Sequence, residues 1–98
     1  MIYILSYSEG TPMTRSIQVQ HIEQEQRFII QWFNEQAELL YSLDPNGKKI
    51  NFYRTYVPTN ARGQGLARQL VEAGLSWARD QDYQVDASCS YVIPFLKN

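Results

Sequence analysis

The chain has 98 residues, which bounds it to one small domain spanning residues 1–98. A net charge of −1 removes the electrostatic footprint expected of a nucleic-acid or anionic-membrane binder. One cysteine and one histidine exclude an internal disulfide and any Cys/His zinc set, so no metal is expected and the setting expected is the reducing cytoplasm.

The opening Met1-Ile2-Tyr3-Ile4-Leu5 is apolar but too short for a signal peptide or a membrane span. It reads either as an added edge strand or as part of an N-terminal extension over 1–12, because Met13-Thr14 offers an alternative start. Ile17 to Ile22 alternates, with Ile17, Val19 and His21 on one side. Arg27 to Phe33 is rich in β-branched and aromatic residues and predicts a strand. Asn34-Glu35 reads as a turn, and Gln36 to Leu43 then alternates with Ala37, Leu39, Tyr41 and Leu43 facing one way. Asp44-Pro45-Asn46-Gly47 is a turn signal: proline presets φ and glycine accepts positive φ. Lys49 to Val57 predicts the next strand, with Ile50, Phe52, Arg54 and Tyr56 on one face. Pro58 ends it.

From Gln64 to about Asp80 the period becomes helical. Leu66, Leu70, Ala73 and Trp77 form one stripe, flanked by Ala67, Val71, Gly74 and Ala78. Tyr83 to Ala87 predicts a short strand, which after a helix is expected to lie parallel to the strand ending at Val57. Tyr91 to Leu96 predicts a final short helix, with Pro94 tolerated in its first turns and Ser90 as its cap. The fold class is therefore α/β (α+β), a mixed sheet built from an antiparallel meander, a crossover helix and a parallel strand.

The loop Arg62-Gly63-Gln64-Gly65-Leu66-Ala67 stands where that helix begins. A helix start leaves N–H groups unpaired at the positive end of the macrodipole. Glycines there let phosphates approach the backbone, and Arg62 adds positive charge. The loop is neither a Walker A loop, lacking Lys-Ser/Thr, nor a dinucleotide fingerprint, because Arg68 occupies the third glycine position. Taken alone, such a loop is equally readable as plain turn chemistry.

The order of elements around this loop resembles the GCN5-related N-acetyltransferase (GNAT) superfamily. Its acetyl-CoA signature, Gln/Arg-x-x-Gly-x-Gly/Ala, is matched by Arg62 to Ala67. The chain is most similar to the minimal single-domain members. The matching stretches are Ala37 to Tyr41, Thr55-Tyr56-Val57-Pro58, Leu70-Val71 and Cys89-Ser90-Tyr91-Val92. Two departures stand out. Arg54 replaces the usual His before Thr-x-Val-Pro, and the family's longer C-terminal tail is not matched after Lys97-Asn98.

The resemblance implies that strand backbone at Tyr56 and Val57 pairs with pantetheine amides, as an added strand would. It implies that the N–H groups from Gly63 through Gln64, Gly65 and Leu66 to Ala67 hold the pyrophosphate. An N–H near Val57 would stabilise an oxyanion. Cys89 has two readings: a small buried hydrophobe, or an acid or acyl acceptor favoured as thiolate beside a helix start. Tyr91 and His21 are read as packing residues rather than catalysts. Arg54 would either hold a phosphate or carboxylate or pair with a Glu across the sheet. Trp32, Phe33, Phe52 and Tyr53 are read as core and sheet-face packing.

The leading functional reading is acetyl transfer from acetyl-CoA to an amine of unknown identity. The alternative is a catalytically silent CoA-binding or protein-interaction module. An RNA- or phosphopeptide-binding module is disfavoured by the charge balance. Neither nucleic acid nor membrane is an expected partner, and the small fold leaves a dimer open.

Overall fold

The computed structural model describes residues 2–5 and 17–96. Five strands follow one another antiparallel: β1 (Ile2–Leu5), β2 (Ile17–Ile22), β3 (Arg27–Trp32), β4 (Glu35–Leu43) and β5 (Lys49–Tyr56). Helix α1 (Leu66–Asp80) then crosses over to β6 (Gln84–Ala87), which lies parallel to β5. A short helix α2 (Ile93–Leu96) follows. The strands form one mixed sheet in sequence order, as the alternating pattern predicts. The opening stretch is an edge strand, with Ile2 opposite Gln20 and Leu5 opposite Ile17. Met13 lies outside the described residues.

Turn chemistry sets the meander. Gly47 adopts φ 69° and donates its N–H to Asp44 O at 2.9 Å. Asp44 Oδ1 accepts from the N–H groups of Lys49 (3.0 Å) and Lys48 (2.8 Å), which hold its carboxyl below the usual carboxylate range. The turn between β3 and β4 falls on Phe33-Asn34, one residue earlier than the sequence suggests. Gln31 Nε2 explains the placement, donating to both Phe33 O (2.7 Å) and Glu35 O (2.9 Å). Phe33 therefore leaves the strand at φ 56° and is 66% exposed, with its ring edge-on to Trp32.

The apolar stripe of α1 packs on one face of the sheet. Leu66, Leu70, Ala73, Trp77 and Ala78 are buried against Phe28, Ala37, Leu39, Tyr41, Ile50 and Phe52. His21 belongs to this core, at 4% exposure. Its ring stacks on Phe28 (4.0 Å), meets Trp77 edge-on (4.3 Å), and places Nε2 2.6 Å from the Tyr41 hydroxyl. Burial lowers its pKa to about 4, against an opposing pull from Glu23. In the unfolded chain it titrates near 6.5, so as pH falls the unfolded state takes the proton first. His21 therefore costs the fold nothing above that value and removes up to about 3 kcal/mol of stability between there and pH 4. Guanidinium unfolding at pH 7 and 4.5 should show a loss for the wild type that shrinks in His21→Asn; equal losses would refute the assignment.

One departure in β5 matters for function. Leu43 to Tyr41 pair with Ile50 to Phe52, but Leu40 pairs with Arg54, so Tyr53 is an extra residue in the ladder. A bulge of this kind re-aims every side chain beyond it. Ile50 and Phe52 face the core as the alternation predicts, whereas Arg54 and Tyr56 turn to the opposite, exposed face. Thr55, opposite buried Leu39, turns inward instead.

Candidate functional site

The site forms where β5 outruns β6. Parallel pairing runs from Lys49↔Gln84 to Phe52↔Ala87 and stops. The N–H groups of Ser88 and Cys89 then both bond to Phe52 O, at 3.1 and 3.3 Å. Asn51 Nδ2 donates to Ser88 Oγ at 3.0 Å and pins the same departure. From Arg54 to Tyr56, β5 stays paired with β4 alone among the described residues. A strand with one open edge can accept an extended ligand by main-chain hydrogen bonds.

The glycine loop closes one end of this opening. After Pro58 a single 3-10 turn, Thr59–Ala61, leads into Arg62, whose Nε donates to Val57 O at 3.2 Å. Gly63 and Gly65 adopt φ 85° and 78°, and a Cβ on either would meet no atom within 4 Å. Open space lies above both glycines. Gly65 is the N-cap of α1 and brings no side-chain cap. The first helical bond runs from Gln69 N–H to Gly65 O (3.1 Å), which leaves the N–H groups of Leu66, Ala67 and Arg68 without a helical acceptor. Free N–H groups, the positive helix end and Arg62 together suit an anion.

These parts share one cleft of about 350 Å³. Of the residues expected at the cofactor, Val57, Arg62, Gly63, Gly65, Leu66 and Ala67 line it, whereas Tyr56 and Gln64 do not. Tyr56 is turned outward by the bulge, and Gln64 is exposed. The Leu66 side chain is buried in the core, so that residue can offer only its N–H. Three residues not expected at the cofactor also line the cleft, one of them the buried Ala61. Tyr91 is 42% exposed and tilted against Phe95, and Arg68 is held by Glu72 at 3.0 Å. A larger hollow of about 410 Å³, between α1 and α2, shares no residue with the loop.

The sequence pattern of GCN5-related N-acetyltransferases matches residues 27–98. The chain belongs to that family. It is similar to protein NATD1 of Gallus gallus, 31% identical over 84 residues that cover 83% of this chain and 74% of the relative. Protein NATD1 of Bos taurus is also 31% identical, and that of Homo sapiens 30%, each over 83% of this chain and 73% of the relative.

Within this GNAT domain the remaining candidates separate clearly. Cys89 is half-buried, with Sγ 3.4 Å from Thr55 Oγ1. Burial pushes its thiol up, but hydrogen bonds from the Thr55 hydroxyl and from the N–H groups of Tyr91, Val92 and Thr55 outweigh burial, so the net movement is down. Ser90 does not cap α2; Val92 and Ile93 N–H instead bond to Cys89 O, at 3.0 and 3.2 Å. Arg54 stands opposite Leu40 and not a Glu; the register puts Glu38 opposite Tyr56, and Glu38 is taken by Arg27 at 2.8 Å. Arg27 also joins Glu25 at 2.6 Å, so the carboxylates flanking it are structural partners. Of the four aromatics read as packing, Phe52 is fully buried, whereas Phe33 and Tyr53 are exposed. Thr55 was invisible to periodicity, because only the bulge brings it inward.

Proposed function

We propose that the chain is an acetyl-CoA-dependent N-acetyltransferase that acts on an amine in the reducing cytoplasm. The observation that carries this reading is the single cleft joining the open edge of β5 at Val57 to the glycine start of α1. Its lining suits a ligand with an amide-bearing arm and a pyrophosphate. Gly63, Gly65 and the N–H groups of Leu66 and Ala67 would hold the pyrophosphate, with Arg62 supplying charge. Val57 and the end of β5 would pair with the pantetheine arm and set the thioester at the mouth of the splay. There an amine needs placement, deprotonation and one oxyanion donor. Cys89 would protonate the departing thiolate or accept the acetyl group.

A second reading, a silent CoA-binding or protein-interaction module, is favoured by Arg54. Arginine stays protonated and supplies no general base at the position it occupies. Calorimetric titration with acetyl-CoA, CoA and ATP tests the cofactor. Saturable binding of acetyl-CoA, tighter than ATP, is expected. No binding of any of the three would reduce the loop to a turn. Turnover in an amine screen then separates the two readings.

A further inference from the structure

The bulge at Tyr53 gives the splay between β5 and β6 a side chain whose role neither periodicity nor the loop reveals. Beyond it, Thr55 lies on the core side of β5, and its hydroxyl meets Cys89 Sγ at 3.4 Å across the gap where β5 and β6 part. The loop carrying Cys89 is fixed independently, by Phe52 O and by the Asn51–Ser88 hydrogen bond. The sulfur is therefore held between two separately anchored elements. We propose that Thr55 is a positioning residue that donates its hydroxyl to Cys89 Sγ and holds the sulfur at the mouth of the splay. This rests on the acyltransferase reading above and gives that site a named partner for its only thiol.

The donor's chemistry is specific. A hydroxyl can donate to a thiolate, and the contact strengthens when the sulfur is charged. The downward movement of the Cys89 thiol, caused in part by Thr55, agrees with that geometry. A methyl group in the same place would keep the packing and lose the donor.

The chain has one cysteine, so its alkylation by iodoacetamide reports Cys89 alone. Rate against pH is to be measured for the wild type, Thr55→Val and Thr55→Ser. Thr55→Val is expected to move the titration midpoint upward and slow alkylation at pH 7 about tenfold, the scale of one hydrogen bond to a charged group. Thr55→Ser is expected to restore both. A purely structural role would change the rate equally at every pH and leave the midpoint in place, and that result overturns the proposal. Should Thr55→Val not fold, Thr55→Ala removes the same donor with less bulk and is judged by the same midpoint. CoA titration of the wild type is read separately. A shifted midpoint in a protein that binds no CoA would overturn the acyltransferase reading while the Thr55–Cys89 contact stands.

Discussion

Gly65→Glu is expected to abolish CoA binding while leaving the protein folded. Gly65 sits at φ 78° as the N-cap of α1, and a Cβ there would meet no protein atom within 4 Å. The new side chain therefore enters the open space above the helix start, where the pyrophosphate would lie. It brings bulk and negative charge to the place where the free N–H groups of Leu66 and Ala67 offer positive potential. Losing two charge-assisted contacts, each worth about 1.5–3 kcal/mol, predicts at least a hundredfold weaker binding, to about the limit of calorimetry.

The effect on folding is expected to be small, because two terms oppose each other. A side chain in the left-handed region costs about 1–2 kcal/mol. A carboxylate in the first turn of a helix returns about 0.3–1 kcal/mol through the macrodipole. Thermal unfolding should therefore shift by only a few degrees while titration heat disappears. Gly65→Ala serves as the comparison: it carries the backbone strain without the charge, and should bind more tightly than Gly65→Glu. Unchanged affinity in a folded Gly65→Glu protein would remove the loop from the cofactor site.

How much of this was legible in the sequence depends on what each signal is made of. The meander was legible because Ala37, Leu39 and Tyr41 alternate and Gly47 closes a turn that only local chemistry decides. The helix was legible because its buried stripe repeats with helical period from Leu66 to Trp77. The glycine loop was legible because positive φ at Gly63 and Gly65 demands that residue type. The face of Arg54 and Tyr56 was not. Alternation assumes an unbroken ladder, and one extra residue at Tyr53 reverses everything beyond it. Bulges are decided by pairing with a neighbouring strand, here Leu40 and Tyr41, and leave no trace in the composition of β5 itself. The same blindness hid Thr55. The turn at Phe33 was misplaced for a related reason, since a side chain outside it, Gln31, ties its carbonyls.

Packing also reaches the site through one glycine. Gly74 is buried at the crossing of α1 over the sheet, where a Cβ would lie 3.0 Å from Leu39 Cδ2 and 3.0 Å from Phe52 Cε1. The absence of a side chain sets how closely helix and sheet approach. Gly74→Val is expected to lower stability by about 3 kcal/mol, the upper range for overpacking, because both obstacles are buried core side chains with little room to move. Gly74→Ala gains about 1 kcal/mol of helix propensity against a smaller clash, so its net loss should be about 1 kcal/mol or less. The consequence for function follows from Phe52. Its ring meets the new side chain, and its carbonyl holds the N–H groups of Ser88 and Cys89 at the point where β5 and β6 part. Displacing Phe52 should loosen that anchor and change the alkylation rate of Cys89 at temperatures well below unfolding. Denaturant midpoints and thiol kinetics on the same samples check both halves. A Gly74→Val protein as stable as the wild type would show that the helix can lift without cost. A destabilised one with unchanged Cys89 kinetics would show that the splay is held by β5 and β6 alone, independent of the helix above them.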